Sequence, residues 1–284
     1  MASEAPRLPV ADRTLVMGIL NVTPDSFSDG GLYDGTEAAI ARGLELAAQG
    51  ADIVDVGGES TRPGAERVEP REEQGRVLPV VEALVARGIP VSVDTMRAST
   101  AQAAVEAGAC LINDVSGGLA DPEMAGVVAG ASVDFVAMHW RAHSTHMDAR
   151  DRYDDVVAEV AKELADRVDA LVRAGVPEDR IVLDPGLGFA KVADSNWPLL
   201  ANLAEWSAGK RVLIGASRKR FLGAAISRGE DDAVSPVQRE HATTAVTTLA
   251  AATGAWAVRV HDARAACDAI AVVSAWQAAT KATR

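Results

Sequence analysis

The chain of 284 residues has little cysteine and few aromatic residues: Cys110 and Cys267 are its only cysteines, and Phe, Trp and Tyr make up 4% of it. Two cysteines cannot form a disulfide framework, and this scarcity is typical of a reducing compartment, so we expect a cytoplasmic protein. No stretch reaches about 18 uninterrupted apolar residues, which excludes a transmembrane helix. The first residues lack the apolar segment of a secretory signal, so no export is expected.

Basic residues are also scarce relative to acidic ones. Lys and Arg number 28 against 40 for Asp and Glu, a formal net charge of −12. This balance argues against general binding to nucleic acid or to anionic membranes. The apolar fraction of 48% is sufficient for a full hydrophobic core. Because no linker or shift in composition divides the chain, we predict one catalytic domain over 13–284, preceded by a flexible tail over 1–12.

Eight short apolar runs alternate with amphipathic stretches along the chain. The runs are LVMGILNV (15–22), ADIVDVGG (51–58), PVSVDT (90–95), CLINDVSG (110–117), DFVAMHW (134–140), RIVLDPG (180–186), RVLIGAS (211–217) and AWAVRVHD (255–262). Runs that are apolar at nearly every position are typical of parallel strands covered on both faces. Eight such units predict an α/β fold, a single-domain (β/α)8 TIM barrel. The alternative, an open doubly wound sheet, is disfavoured because no G-x-G-x-x-G follows the first run.

The intervening stretches have the apolar spacing of helices. We predict helices over 36–49, with Thr36 as a cap, over 70–87 and over 154–174. Asp262 is expected to cap the last helix. Pro79 is expected to kink or split the helix that contains it, because proline cannot donate the helical hydrogen bond.

Polar side chains stand where the predicted strands end, which in a barrel is where active sites form. They are Asn21, the loop 57–64, Asp94, Asn113 with Asp114, Met138 with His139, Asp184, Ser217 with Arg218 and Lys219, and Arg259 with His261. Any one of them could be a turn former or a helix cap. Eight polar strand ends in one ring indicate a binding site instead.

The type of each polar group suggests what the ring binds. Phosphate sites in such barrels lie preferentially after strands seven and eight. A basic turn of Arg218, Lys219 and Arg220 follows the seventh predicted strand, and Arg259 and His261 close the eighth. Period two projects Arg259 and His261 to the same side. Asp94 and Asp184, with Asn113, could read the amide edge of a flat heterocycle or bind a metal. No His, Cys, Asp or Glu cluster has the spacing of a zinc site.

The motifs around these positions resemble dihydropteroate synthases. They are GILNVTPDSFSDGG (18–31), DVGGESTRPGA (55–65), SVDT (92–95), INDVSG (112–117), DPGLGF (184–189), GASRKRF (215–221) and RVHD (259–262), in family order over nearly the whole chain. The stretch MHWRAHS (138–144) is similar to actinobacterial members of the family. The resemblance implies a TIM barrel that joins 6-hydroxymethyl-7,8-dihydropterin diphosphate to 4-aminobenzoate in folate synthesis. It further implies Mg²⁺ as cofactor, an SN1-like displacement of pyrophosphate and a homodimer.

The resemblance also implies a role for each matching residue. Pterin binding falls to Asp94, Asn113, Met138, Asp184, Gly215, Lys219 and Arg259. Diphosphate binding falls to Asn21, Arg259 and His261, with Asn21 also on the metal. The aminobenzoate pocket is formed by Phe27, Thr61, Arg62, Pro63, Phe189, Ser217 and Lys219. The catalytic set is Asp29, Lys219, Arg259 and His261, in which Asp29 supports the cationic intermediate.

Three other functions are compatible with parts of the pattern. A pterin-dependent methyltransferase barrel shares the pterin pocket, but it has no diphosphate or aminobenzoate to hold. A catalytically silent pterin-binding paralogue would not need Asn21, Lys219, Arg259 and His261 intact. An aldolase-type barrel needs a Schiff-base lysine, for which Lys219 is the only candidate near a strand end.

Overall fold

The computed structural model describes residues 7–23, 32–59, 68–141, 152–191, 193–229 and 234–282. Its sheet consists of β1 (Leu15–Asn21), β2 (Ile53–Gly57), β3 (Val91–Asp94), β4 (Leu111–Asp114), β5 (Asp134–Met138), β6 (Ile181–Asp184), β7 (Leu213–Ile214) and β8 (Ala257–Val260). Every neighbouring pair is parallel, in the order β6-β5-β4-β3-β2-β1-β8-β7. A parallel bridge between Leu183 and Val212 joins the two ends of that order. The predicted TIM barrel is thereby confirmed, and the open sheet is wrong.

Helices surround the barrel. They are α1 (Leu32–Ala48), α2 (Pro70–Val85), α3 (Ala98–Glu106), α4 (Met124–Gly130), α5 (Val156–Arg173), α6 (Ala193–Ala201), α7 (Leu203–Ser207), α8 (Arg220–Ile226), α9 (Glu240–Ala252) and α10 (Ala263–Ala282). No described helix combines the length and hydropathy needed to cross a bilayer.

The observed helix ends can be compared with the capping and breaking residues that the sequence suggested. Asp262 accepts from the amide of Ala265 in the first turn of α10, as predicted. Asp155, for which no cap was predicted, caps α5 by accepting from the amides of Val157 and Ala158. One expectation is wrong, because Thr36 lies inside α1 rather than at its start. Of the kink or split expected at Pro79, the split does not occur, since α2 continues through this residue. Propensity signals inside a helix are weak when tertiary packing holds the helix on both sides of them.

The barrel interior has an apolar layer at the amino ends of the strands. Eight buried side chains form it: Leu15, Met17, Ile53, Leu111, Val136, Val182, Leu213 and Ala257. Leu8, from the segment predicted as a flexible tail, packs against this layer. We call these eight residues the lower layer. A second, larger apolar cluster fills the space between the strands and the helices, so both faces of the strands are covered, as their composition predicted.

Candidate active site

Strand alternation places a polar layer directly above the lower layer. Side chains two residues apart on a strand point to the same side, and Ser92 on β3 lies in register with Leu111 on β4. The inward positions that follow the lower layer are therefore Ile19, which is apolar, and Asp55, Asp94, Asn113, Met138, Asp184, Gly215 and Arg259. We call the last seven residues the upper layer. Six of them are predicted pterin-binding residues, and the seventh, Asp55, was not predicted.

Arg259 is the centre of the upper layer. Its Nε donates to Asp55 Oδ2 at 2.6 Å and its Nη2 donates to Asp94 Oδ2 at 2.8 Å. Asn113 Nδ2 donates to the same oxygen of Asp55 at 3.2 Å. Asp55 is fully buried and holds the guanidinium in place. The sequence analysis missed Asp55 because it considered only the residues at strand ends. Counting back two residues from Gly57, the end of β2, would have identified Asp55 as an inward-facing side chain.

Asp184 lies on the other side of the barrel mouth, at the end of β6. Its Oδ1 accepts from the amide of Gly186 at 2.7 Å, and burial raises its pKa while the charge of Lys219 opposes the rise. A Cβ on Gly215 would lie 3.6 Å from Asp184 Oδ2 and 4.0 Å from Lys219 Nζ. Glycine at 215 therefore leaves these polar groups free to face one common space.

Burial shifts the pKa values of the charged groups in this ring. It raises the pKa of Asp94 to about 7, a rise that Arg259 opposes, and it lowers the pKa of Lys219 to about 8, which Asp184 opposes. Burial alone would lower the pKa of Arg259, but Asp55 and Asp94 raise it overall. Perturbed groups of both signs that face one mouth are typical of functional sites.

Lys219 and Phe189 meet at the edge of the ring. Lys219 Nζ donates to the carbonyl of Leu187 and lies 4.6 Å from the centre of the Phe189 ring. Ser217 and His261 form a second pair, with Ser217 Oγ 2.8 Å from His261 Nδ1. The amide of His261 donates to the same Oγ at 3.2 Å. The ring face of Phe189 and the hydroxyl of Ser217 can both contact a flat ligand bound next to the upper layer.

Of the remaining predicted site residues, some lie in the parts of the chain that the structure describes and some lie outside them. Asn21 ends β1 in register with Gly57, and Met138 ends β5 in register with Asp184. Phe27, Asp29, Thr61, Arg62 and Pro63 lie outside the described residues. Of the basic turn after β7, Arg218 does not join the ring, because its Nε donates to Glu240 Oε2 at 2.5 Å. Its φ of +59° lies in the left-handed region, and the next residue, Lys219, contacts Leu187 and Phe189 at the mouth.

Within the described ranges, no three His, Cys, Asp or Glu side chains are grouped as metal ligands would be. Oxygen acceptors, amide groups and cations instead converge over an apolar floor. This fold and this ring define a barrel enzyme that binds a flat, hydrogen-bonding heterocycle together with an anionic group.

Comparisons with known proteins specify the class. The family model described as "Pterin binding enzyme" matches residues 17–261. The dihydropteroate synthase of Mycobacterium leprae is 55% identical over 92% of this chain and 93% of its own length. A structure of Xanthomonas albilineans dihydropteroate synthase with 4-aminobenzoic acid has a TM-score of 0.86 at 45% identity, covering 97% of this chain and 98% of that one. The same enzyme in complex with 7,8-dihydropteroate has a TM-score of 0.83 at 43% identity, over 96% and 95%.

The chain therefore belongs to the pterin-binding enzyme family, and within it to the dihydropteroate synthases. The resemblance noted in its motifs is confirmed over nearly the whole chain. An aldolase-type barrel is accordingly wrong.

Proposed function

We propose that the upper layer and its rim bind pterin diphosphate and 4-aminobenzoate and join them to form 7,8-dihydropteroate and pyrophosphate. The observation that carries the proposal is the convergence of Asp94, Asn113 and Asp184 with Lys219 and Arg259 at one barrel mouth. A pterin presents amino and ring N–H donors along one edge and a carbonyl acceptor beside them. The ring of side chains offers two carboxylates and an amide to the donors, and two cations to the acceptor.

The acceptor groups are held ready for such an edge. Asp184 keeps Oδ2 outside the hydrogen bond that Oδ1 makes with Gly186. Asn113 uses only its amide nitrogen toward Asp55, so its oxygen remains available to a ligand donor. Met138 and Gly215 supply apolar surface and space for the ring plane. Buried acceptors of this kind favour a ligand that satisfies them, because an unpaired buried group costs about 1–3 kcal/mol.

The leaving diphosphate is assigned to the rim between β8 and β1. Arg259 lies on β8, and His261 directly follows that strand. Because β1 pairs with β8, Asn21 ends the neighbouring strand. The amide oxygen of Asn21 is a hard donor suited to Mg²⁺, which commonly takes one or two protein oxygens together with substrate phosphates. The bound ion would offset charge on the leaving group. Asn21 would hold it, while Arg259 and His261 contribute cationic or N–H donors to the phosphate oxygens.

The 4-aminobenzoate is assigned to the surface formed by Phe189, Lys219 and Ser217. The resemblance assigns Thr61, Arg62, Pro63 and Phe27 to the same substrate, and it gives Asp29 the role of supporting positive charge on the pterin in the SN1-like path. A cationic pterin carbon is a strong electrophile, so the arylamine needs no activating base. The groups that bind the diphosphate lower the barrier because negative charge develops there as the bond breaks.

Product formation from the two substrates is the direct test. Purified protein with Mg²⁺, pterin diphosphate and 4-aminobenzoate should yield dihydropteroate and one pyrophosphate per turnover. Asp184→Asn should weaken pterin binding while the thermal midpoint stays close to that of the parent. Pterin binding without turnover in the parent protein would favour the catalytically silent paralogue. Unfolding of Asp184→Asn with intact ligand binding in its folded fraction would make Asp184 a structural cap.

A homodimer is the assembly we propose, formed through the outer face of α9 and α10. Leu249 and Val272 expose about two thirds of their surface, and Trp276 exposes 76%. A cavity of about 710 Å³ lies on this face, lined by Thr248, Ala252, Val272, Val273, Trp276, Gln277 and Thr280. Contiguous exposed apolar surface with an aromatic anchor is typical of protein interfaces.

Light scattering at several concentrations tests this assembly. The parent should have twice the mass of the chain, and Trp276→Glu should be monomeric. Trp197→Glu, at a tryptophan on α6 that is 38% exposed and does not line this cavity, is the control and should remain dimeric. A monomeric parent, or a dimer that survives Trp276→Glu, would contradict the proposed interface.

A further inference from the structure

The loop that follows β6 determines where the ammonium of Lys219 stands. Lys219 Nζ donates to the carbonyl of Leu187 and faces the ring of Phe189. Gly188 lies between these two residues with a φ of +72°, and a Cβ there would come within 3.2 Å of Lys219 Cδ. The backbone of the loop thus lies directly against the side chain, so a shift of the loop moves the groups that orient Lys219.

A second lysine, Lys191, ties this loop together from behind. It is buried, and its Nζ donates to three acceptors: His139 Nδ1 at 2.9 Å, the carbonyl of Phe189 at 3.1 Å and the carbonyl of Gly186 at 3.2 Å. An ammonium has three N–H donors, and here each has a partner. Lys191 therefore connects the start of the loop, its turn and the end of β5.

The geometry fixes the tautomer of His139. Glu163, whose pKa is lowered to about 2 mainly by its hydrogen bond with His139, is a carboxylate that can only accept, so the ring proton of His139 is on Nε2, 2.8 Å from Glu163 Oε2. Burial, with Lys191 beside it, lowers the pKa of His139 to about 4, so the ring is neutral near pH 7 and Nδ1 accepts from Lys191. Burial also lowers the pKa of Lys191 to about 7, a fall that the charge of Asp184 opposes. Arg141 Nη2 donates to Glu163 Oε1 at 2.5 Å and keeps that carboxylate in place. In this series of hydrogen bonds, Arg141 orients Glu163, Glu163 orients the ring of His139, and His139 orients the side chain of Lys191.

We propose that Lys191 is a positioning residue for the reaction. Oriented by His139 and Glu163, it holds the carbonyls of Gly186 and Phe189 and so sets the Leu187 carbonyl and the Phe189 ring around Lys219. The proposal rests on the assignment of Phe189 and Lys219 to the aminobenzoate pocket. Lys191 contacts neither substrate in that assignment. It acts through the loop.

A second hydrogen bond, which does not involve Lys191, also holds the conformation of this loop. Asn196 on α6 is buried, and its Oδ1 accepts from the amide of Gly188 at 2.7 Å. Removing the ammonium should therefore displace the loop by a small amount rather than unfold it. The expected consequence is weaker binding of 4-aminobenzoate in a folded protein.

Lys191→Met tests the proposal, because it keeps the length of the side chain and removes its three donors. We expect binding of the arylamine substrate to weaken about tenfold, both in its KM and in its Kd by calorimetry with pyrophosphate present. The Kd of pyrophosphate should change less than about twofold, because its proposed ligands Arg259 and His261 stand at the end of β8 and are not part of this loop. Lys162→Met, at an exposed lysine on α5, is the matched control and should behave as the parent. A loss of kcat with unchanged KM and Kd would reflect a smaller folded fraction and would overturn the proposal.

Two substitutions of His139 provide a second test in case Lys191→Met fails to fold. The amide of Asn reaches the position of Nδ1, and the amide of Gln reaches that of Nε2. His139→Asn keeps an acceptor for Lys191, whereas His139→Gln keeps the partner of Glu163 and leaves Lys191 one acceptor short. Binding of the arylamine should weaken more in His139→Gln than in His139→Asn. Equal Kd values in the two variants would overturn the proposal. Absence of dihydropteroate in the parent would overturn the proposed function instead, while the Kd comparison would still decide the role of Lys191.

Discussion

The lower and upper layers of the barrel lie on the same strands and differ in almost every physical property. The lower layer is apolar and fully buried. The upper layer, two residues further along, consists mainly of charged and amide side chains, and burial raises the pKa values of its members Asp94 and Asp184. One layer stabilises the fold through removal of apolar surface from water. The other retains buried charge that costs stability and is offset by hydrogen bonds.

The comparison indicates that, on one strand, one inward-facing side chain can stabilise the fold while the next inward-facing side chain binds the ligand. On β4, Leu111 belongs to the lower layer and Asn113 to the upper layer. On β8, Ala257 belongs to the lower layer and Arg259 to the upper layer, and His261 follows the end of the strand. Substitutions in the two layers should therefore have separable effects, and a variant that changes stability and binding together would break that separation.

The largest expected effect is that of Lys219→Met. Loss of one charged donor beside the reacting groups should lower kcat/KM by about 10²–10³. The thermal midpoint at pH 7 should not fall. The folded-state pKa of Lys219 is lowered from 10.5 to about 8, so the stability linked to this group is complete above pH 10.5 and is lost as pH falls through 8. Removing the charge at pH 7 relieves that cost. Steady-state kinetics and thermal melts check both outcomes. A variant that melts well below the parent would place Lys219 among the residues that stabilise the fold.

His261→Ala should have a smaller effect, confined to the phosphate end of the site. Hydrogen bonds to a charged group contribute about 1.5–3 kcal/mol, so pyrophosphate should bind about 10- to 150-fold more weakly. The affinity for 6-hydroxymethylpterin, which has no phosphate, should stay within about twofold. Calorimetry with each ligand measures the two values. Equal weakening of both ligands would mean that His261 shapes the whole mouth, and no weakening would remove β8 from the leaving-group site.

The pH dependence of pterin binding should be the smallest effect of the three. Burial raises the pKa of Asp94 to about 7, so this carboxylate is charged, and a strong acceptor, only above that pH. The affinity for 6-hydroxymethylpterin should be about tenfold lower at pH 6 than well above pH 7. Titration of binding against pH tests this, with Asp94→Asn as the comparison, because its weakened binding should no longer vary over that interval. The same slope in both proteins would assign the titration to another group.

Much of this arrangement could be predicted from the sequence because it depends on local periodicity. Alternation along apolar runs locates strand ends, and a closed parallel barrel gathers those ends at one mouth. Asp94, Asn113, Asp184 and Arg259 could be grouped on that basis from the sequence alone. The resemblance to a family then supplied roles that periodicity cannot.

The rest depends on contacts between distant parts of the chain. Lys191 and His139 are 52 residues apart, and Asp55 and Arg259 are 204 apart. No local pattern indicates either pair. The seventh apolar run is also longer than its strand, because only Leu213 and Ile214 of that run form β7. Register and neighbours end a strand, and neither is encoded in the hydropathy of the run itself.

The most direct test of the two-layer account compares Leu111→Ala with Asn113→Ala, two truncations on one face of β4. Leu111→Ala should lower the free energy of unfolding by about 2–5 kcal/mol, through lost burial and a cavity, and leave the affinity for 6-hydroxymethylpterin unchanged. Asn113→Ala should weaken that affinity about tenfold, whereas loss of its hydrogen bond to Asp55 should lower the free energy of unfolding by only about 0.5–1.5 kcal/mol. Denaturant titration and calorimetry on both variants give the four values. If both substitutions lower stability and affinity in the same proportion, the two layers are not separate in function and the account is contradicted.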